Sequence, residues 1–197
     1  MKKCGVYRLT PAEMNALKTY IEDHLKKGYI HISKSPVASP FFFVNKKDGK
    51  LCPVQDYRNL NDITIKNAMP LPLILDLIDK LQGARYFTKF DVRWGYNNIR
   101  IREGDEWKAA FKCALGLFVP LVMTFGLCNA PATFQAFMND IFRDLVDEGH
   151  LVVYLDDILL FHHYSGLKNR CNVWQFWSGC DVALDEVRIM LSVGRVK

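Results

Sequence analysis

Two carboxylates stand side by side at Asp156-Asp157, between the apolar runs Val152-Val153-Tyr154-Leu155 and Ile158-Leu159-Leu160-Phe161. Each run is short, branched and aromatic, so each reads as a buried strand rather than a helix, and the pair reads as a hairpin with two acids at its tip. Burying the flanks is favourable, whereas burying two uncompensated negative charges is very costly. A divalent metal is the obvious countercharge. The plain alternative is a polar turn between strands, since Asp is a preferred turn residue.

A third acid sharpens the choice. Tyr86 to Phe90 reads as a strand, and Asp91 stands at its end. If that strand neighbours the hairpin, three carboxylates meet at one edge of a sheet. That grouping is the signature of a two-metal site for phosphoryl transfer. Magnesium suits it, because it keeps waters and takes few carboxylates plus substrate phosphates.

The elements that must position these acids follow from the pattern. Thr10-Pro11-Ala12-Glu13 starts a helix with a capping box and a proline in the first turn; Met14, Leu17, Ile21 and Leu25 continue it, and Gly28 ends it. Ser35 to Pro40 is an extended loop, because each proline pushes its predecessor out of the helical region. Phe41 to Val44 and Leu51 to Gln55 read as strands around the basic turn 45–50, and residues 56–61 as a polar junction. A helix is predicted from Leu71-Pro72 to about Leu81, and strands over 98–102 and 108–113. After a loop at 125–131, Phe134, Phe137, Met138, Ile141, Phe142, Leu145 and Val146 form the apolar stripe of one long helix. The order helix, strands, helix, hairpin predicts an α+β fold, with helices packed on one face of an antiparallel sheet.

Composition bounds the reading. Among 197 residues, half are hydrophobic and 13% aromatic, which supplies a core and argues against disorder. No apolar run is long enough to span a bilayer, so no membrane partner is expected. The basic start Met1-Lys2-Lys3 is followed by no hydrophobic stretch, so no targeting signal is read and an intracellular location, cytoplasm or nucleus, is expected. The net charge of +5 permits nucleic-acid binding without demonstrating it. Six cysteines, with no Cys-x-x-Cys pair, fit reduced thiols better than a disulfide frame. His162, His163, Cys171 and Cys180 match no zinc spacing.

Five blocks, in order, carry a resemblance: SKSPVASPFFFVNKKDGKL, VQDYRNLN, FTKFDVRWGYNNIRI, FGLCNAPATFQ and VVYLDDILL. From about Tyr7 to Phe161 the chain resembles the reverse transcriptases (RNA-directed DNA polymerases) of gypsy/Ty3-type LTR retrotransposons. The resemblance implies a polymerase fingers–palm fold: 1–30 an N-terminal helix leading into the fingers, 31–85 fingers, 86–161 palm with the Tyr-Leu-Asp-Asp hairpin, and 162–197 an atypical tail. It implies magnesium-dependent, template-directed DNA synthesis, with two Mg2+ ions (or Mn2+) held by Asp91 and Asp156, and Asp157 completing the cluster. Tyr96 matches the position that packs under the incoming sugar and excludes a 2′-hydroxyl. Phe125 matches a pocket position near that sugar, Val92 falls among the nucleotide-binding positions, and Lys46 lies where a γ-phosphate is contacted. Arg58 and Gln135 read as structural or template-side. The implied partners are an RNA or DNA template with primer and deoxynucleoside triphosphates. Thumb, RNase H, integrase and protease domains are expected to be missing from this chain.

Two departures matter. Cys52 stands where members of the family carry an arginine that clamps the triphosphate, and a thiol cannot make a guanidinium's charged, forked contact. After Phe161 the family pattern is not found, and a shifted reading frame or a retained intron would explain residues 162–197. The alternative to an active polymerase is therefore a catalytically inactive retroelement relic that binds nucleic acid weakly. A small sheet-based RNA-binding module fits poorly, for want of a pattern of exposed stacking aromatics.

Overall fold

In a computed structural model, residues 5–45, 49–92, 94–162 and 194–195 are described, with the backbone alone at Asp91, His162, Gly194 and Arg195. In chain order the elements are α1 (Pro11–Lys26), β1 (Ile30–Ile32), β2 (Ser39–Asn45), β3 (Leu51–Gln55), α2 (Arg58–Ile63), α3 (Ile74–Lys80), β4 (Tyr86–Asp91), β5 (Phe111–Cys113), β6 (Gly116–Pro120), α4 (Ala130–Ile141), α5 (Arg143–Asp147), β7 (Leu151–Tyr154), β8 (Asp157–His162) and β9 (Gly194–Arg195). One-turn 3-10 helices lie at Gly95–Asn98 and Glu106–Ala109. The fold is α+β, as the pattern predicts. Among the described residues no helix is long and apolar enough to cross a membrane.

The chain divides into two units, Met1–Lys66 with Ile99–Ala130, and Asn67–Asn98 with Pro131–Lys197. The contiguous segments read from the sequence, 31–85 and 86–161, have different boundaries. The physical reason is strand pairing: β5 joins β2 in parallel, Ser39 opposite Phe111, which carries residues 99–130 back to the sheet of the N-terminal part.

The first unit is built on a five-stranded sheet of order β1-β6-β5-β2-β3. Helix α1 lies on it because its sequence gives it both a start and a face. Thr10 Oγ1 accepts from the Glu13 amide, and the Glu13 carboxylate accepts from the Thr10 amide at 2.7 Å, a complete capping box. Such a cap is worth about 1 kcal/mol. Gly28, at φ 68, ends the helix in the left-handed region that suits glycine. Leu17 and Ile21 are then buried against Phe41, Phe111 and Phe118, each contributing roughly 1.5–3 kcal/mol by leaving water. Pro53 sits in β3, an edge strand, where its missing N–H leaves no gap in an interior ladder.

The second unit holds a four-stranded antiparallel sheet of order β7-β8-β4-β9. Alternation sets its two faces. Thr88, Phe90, Leu151, Val153, Ile158 and Leu160 are buried on one face; on the other, Val152 and Phe161 are buried as well, whereas Lys89 and Asp157 are half exposed. Helix α4 supplies Phe134, Gln135 and Met138 to the buried side of the unit.

Several expectations are corrected. Residues 98–102 form no strand: Asn98 ends a 3-10 turn, and Arg100 makes a lone bridge to Val122. Of 108–113 only β5 is extended, because Glu106–Ala109 coils into a 3-10 turn. Most of residues 56–61, read as a polar junction, belongs to α2 (Arg58–Ile63), and α3 is shorter than its apolar span. The long helix is broken at Phe142 into α4 and α5.

Candidate functional site: a carboxylate-bearing hairpin tip

The turn that carries the acids is as tight as a hairpin turn can be. Tyr154 pairs with Asp157, leaving only Leu155 and Asp156 at the tip. Leu155 lies at φ 54. A two-residue turn with positive φ at its first central position ordinarily takes glycine there, and a leucine costs roughly 1–2 kcal/mol in that region. What holds it is Gln135, which is fully buried. Its Oε1 accepts from the Leu155 amide at 2.7 Å, while its Nε2 donates to Asn139 Oδ1 at 2.8 Å and to the Val153 carbonyl at 3.3 Å. A side chain read from the sequence as structural or template-side is thus the clamp of the turn. Its one sequence signal is a polar residue inside the apolar stripe of α4.

Strand register brings the third acid alongside. Asp91 is the antiparallel partner of Asp157, and the Val92 amide donates to the Asp156 carbonyl at 3.0 Å, so the end of β4 is tied to the tip. Val92 itself is buried. Asp156 and Asp157 are exposed. The Lys89 ammonium, on β4, lies 2.7 Å from Asp157 Oδ1. The side chain of Asp91 lies outside the described residues, and among the described residues no three His, Cys, Asp or Glu side chains form a metal-holding group. The donor chemistry nonetheless fits a hard divalent cation: the available ligands are carboxylate oxygens, with neither imidazole nor thiolate at the tip.

Tyr96 follows from Gly95. A Cβ on Gly95 would stand 2.6 Å from Phe134 Cζ, so only glycine lets this turn settle on α4. The Tyr96 ring then meets Phe134 edge-on, with centroids 5.3 Å apart. Burial pushes the Tyr96 phenol above its usual range, and the nearby Asp156 charge adds to the shift.

In the first unit, Phe125 is 62% exposed. The loop that bears it is tied down by Asn61, whose Nδ2 donates to the Gly126 carbonyl at 2.8 Å and whose Oδ1 accepts from the Cys128 amide at 2.9 Å. Gly126, at φ 96, lets the loop pass 3.3 Å from the Gln55 carbonyl, measured from where a Cβ would be. Tyr57 sits beneath, 1% exposed, donating to the Ala109 carbonyl at 2.9 Å. The DYRNLN and FGLCNAP blocks are therefore one hydrogen-bonded assembly, which reading them as separate motifs did not reveal. Arg58 grips Asp56 through two nitrogens at 2.8 and 2.7 Å, which holds the Asp56 carboxyl below its usual range. Cys52 is half-buried on β3, opposite Val44. Lys46 lies outside the described residues, as do residues 163–193 of the segment expected to depart from the family.

The chain is similar to known proteins in sequence and in fold. The family described as "Reverse transcriptase (RNA-dependent DNA polymerase)" matches residues 44–186. The Transposon Tf2-3 and Tf2-7 polyproteins of Schizosaccharomyces pombe are each 47% identical over 193 residues, 97% of this chain and 14% of the relative. The chain thus spans about one seventh of the length of these relatives. Among solved structures, a foamy viral protease-reverse transcriptase in complex with RNA/DNA hybrid superposes with a TM-score of 0.82 at 23% identity, over 95% of this chain and 26% of that one. The CSH mutant of the Prototype Foamy Virus protease-reverse transcriptase gives 0.79 at 24% identity, over 98% and 28%. The fold is shared with these enzymes, and by its matched residues the chain belongs to the reverse transcriptase family.

Proposed function

We propose that this chain is the catalytic core of an RNA-directed DNA polymerase from a retrotransposon polyprotein, carrying out magnesium-dependent nucleotidyl transfer. The single observation that carries the reading is the register of β4 against β8, in which Asp91 opposes Asp157 beside the tip residue Asp156. Asp91 and Asp156 would hold two Mg2+ ions, or Mn2+, with Asp157 completing the cluster. When bound, such ions supply a lowered pKa for a primer 3′-hydroxyl and charge stabilisation for in-line phosphoryl transfer.

The remaining work belongs to the protein's own residues. Gln135 fixes the backbone from which Asp156 projects, so a carboxylate is held in place before substrate arrives. Tyr96, seated on Phe134 by way of Gly95, offers a ring face where an incoming sugar would pack and a 2′-hydroxyl would clash. Within the first unit the same reading assigns Phe125 and Lys46 to nucleotide binding, and within the second, taken by itself, it assigns Val92. Substrates are deoxynucleoside triphosphates and a primed RNA or DNA template; the foamy viral neighbours hold RNA/DNA hybrid or double-stranded DNA.

The test is primer extension on an RNA template with Mg2+, with Asp156→Asn as the control. Extension that needs the cation and disappears in Asp156→Asn is expected; extension that survives the substitution would remove the site. One observation favours a second reading. At Cys52 the side chain is a half-buried thiol whose hydrogen bond runs to the Pro53 carbonyl at 3.9 Å, not a cation able to grip a triphosphate. An impaired relic would extend primers only after Cys52→Arg.

A further inference from the structure

Lys89 is a cation built into an acidic place. On β4 its register partner is Leu159, and Asp91, two residues along, opposes Asp157. Lys89 and Asp157 are therefore diagonal neighbours across the two strands. Diagonal positions are roughly 7–8 Å apart, within the reach of a lysine's four-carbon stem. The ammonium does reach, to 2.7 Å from Asp157 Oδ1. Like charges at directly opposed positions of an antiparallel pair are unfavourable, and here the opposed positions are both aspartates. A third aspartate follows at the turn.

An ion pair with both partners half exposed does little for stability. Its consequence lies in the local field. We propose that Lys89 is a positioning residue of the carboxylate end: it gives Asp157 a permanent countercharge, orders the tip before any divalent cation binds, and draws Asp157 away from the cation that Asp91 and Asp156 would hold. The inference rests on the proposed reading of those two aspartates. It divides the labour among the three acids, with two as ligands and the third engaged by protein. It also makes the site a deliberately weak one for cations, since a fixed positive charge opposes each incoming ion.

The experiment is Mn2+ binding to the 197-residue chain, read from the electron paramagnetic resonance signal of free Mn2+, alongside thermal unfolding in chelator and in excess Mn2+. Lys89→Gln is expected to bind Mn2+ about fivefold more tightly, the effect of losing the water-screened repulsion between one positive charge and a doubly charged ion roughly 8 Å away. It should also show a larger rise in Tm on adding Mn2+ than the parent does. Lys89→Arg should restore parental affinity, because it keeps the charge and the reach. In an Asp157→Asn background, where the partner is gone, Lys89→Gln should tighten binding by a different factor from the one it produces alone. Parental affinity in Lys89→Gln, or equal factors in the two backgrounds, with binding still abolished by Asp156→Asn, would overturn the role of Lys89 and leave the cation site standing. Mn2+ binding that is absent from the parent, or unaffected by Asp156→Asn, would overturn the cation site and this inference together.

Discussion

Replacing Gln135 by Met keeps the length and volume of the side chain but removes every polar atom, and the structure sets what that should cost. The Leu155 amide loses its 2.7 Å acceptor, and the Val153 carbonyl loses a longer bond at 3.3 Å. A net hydrogen bond is worth about 1 kcal/mol, and leaving a partly buried donor unsatisfied adds roughly another 1 kcal/mol. The loss of about 2 kcal/mol corresponds to a fall in Tm of about 4–8 °C for a chain of this size. The more telling effect is local. Leu155 is held at φ 54, a conformation costing roughly 1–2 kcal/mol for leucine, so an unclamped turn has reason to relax and carry Asp156 with it. Mn2+ affinity should therefore fall with stability. Glycine adopts this conformation freely and has no strain to release, so in a Leu155→Gly background Gln135→Met should cost about 1 kcal/mol more than it does alone. Circular dichroism melts of the four proteins give the cycle. An unchanged Tm in Gln135→Met, or strict additivity with Leu155→Gly, would refute the idea that this buried amide holds a strained turn.

Two further predictions concern the first unit. Asn61→Ala removes both bonds to the 126–128 backbone and should cost about 2–3 kcal/mol; the check is a urea melt together with faster proteolysis near Phe125, and unchanged cleavage there would argue against the clamp. His24 gives a pH dependence. It is 8% exposed against the Tyr20 ring, with centroids 3.9 Å apart, and burial holds its pKa below the usual value despite the Tyr20 carbonyl and Asp23, which pull it up, while Lys27 pushes it further down. A lowered folded-state pKa means the unfolded chain takes the proton first. Stability is thus full above the ordinary histidine pKa and is lost as pH falls through the folded one. Urea midpoints should drop between pH 7.5 and pH 5, and the drop should be smaller in His24→Gln; equal drops would place the acid sensitivity elsewhere.

What could be read from the sequence, and what could not, divides by the range of the interaction. The cap of α1 is complete within four residues, Thr10 to Glu13, and the sequence states it outright. Strands β4, β7 and β8 are legible because their apolar residues must face a core, and strand ends fix where Asp91 and Asp156 fall along the chain. The strands β1 and β6 are not legible: Ile30-His31-Ile32 and Gly116 to Pro120 are too short to show a period, and they are extended because they pair with each other across some ninety residues, Ile30 opposite Pro120. The parallel join of β5 to β2 is invisible for the same reason, and with it the interleaving of the two units.

The same distinction explains why motif reading left Gln135 as structural or template-side and gave Asn61 no role of its own. Neither carries a charge, so an argument that looks for carboxylates and cations assigns them nothing sharper. Each nevertheless presents a donor and an acceptor at fixed separation, which is what a backbone turn needs when its own amides and carbonyls cannot pair with one another. Gln135 meets that need at the 153–155 hairpin and Asn61 at the 126–128 loop. In both places a chemically bland amide sets where a more conspicuous residue stands, Asp156 in one case and Phe125 in the other. A fully buried amide costs free energy unless its bonds are made, so its presence inside an apolar stripe is itself a signal. The useful question for such a residue is which distant stretch of backbone is short of partners, and for Gln135 the answer is the turn that displays Asp156.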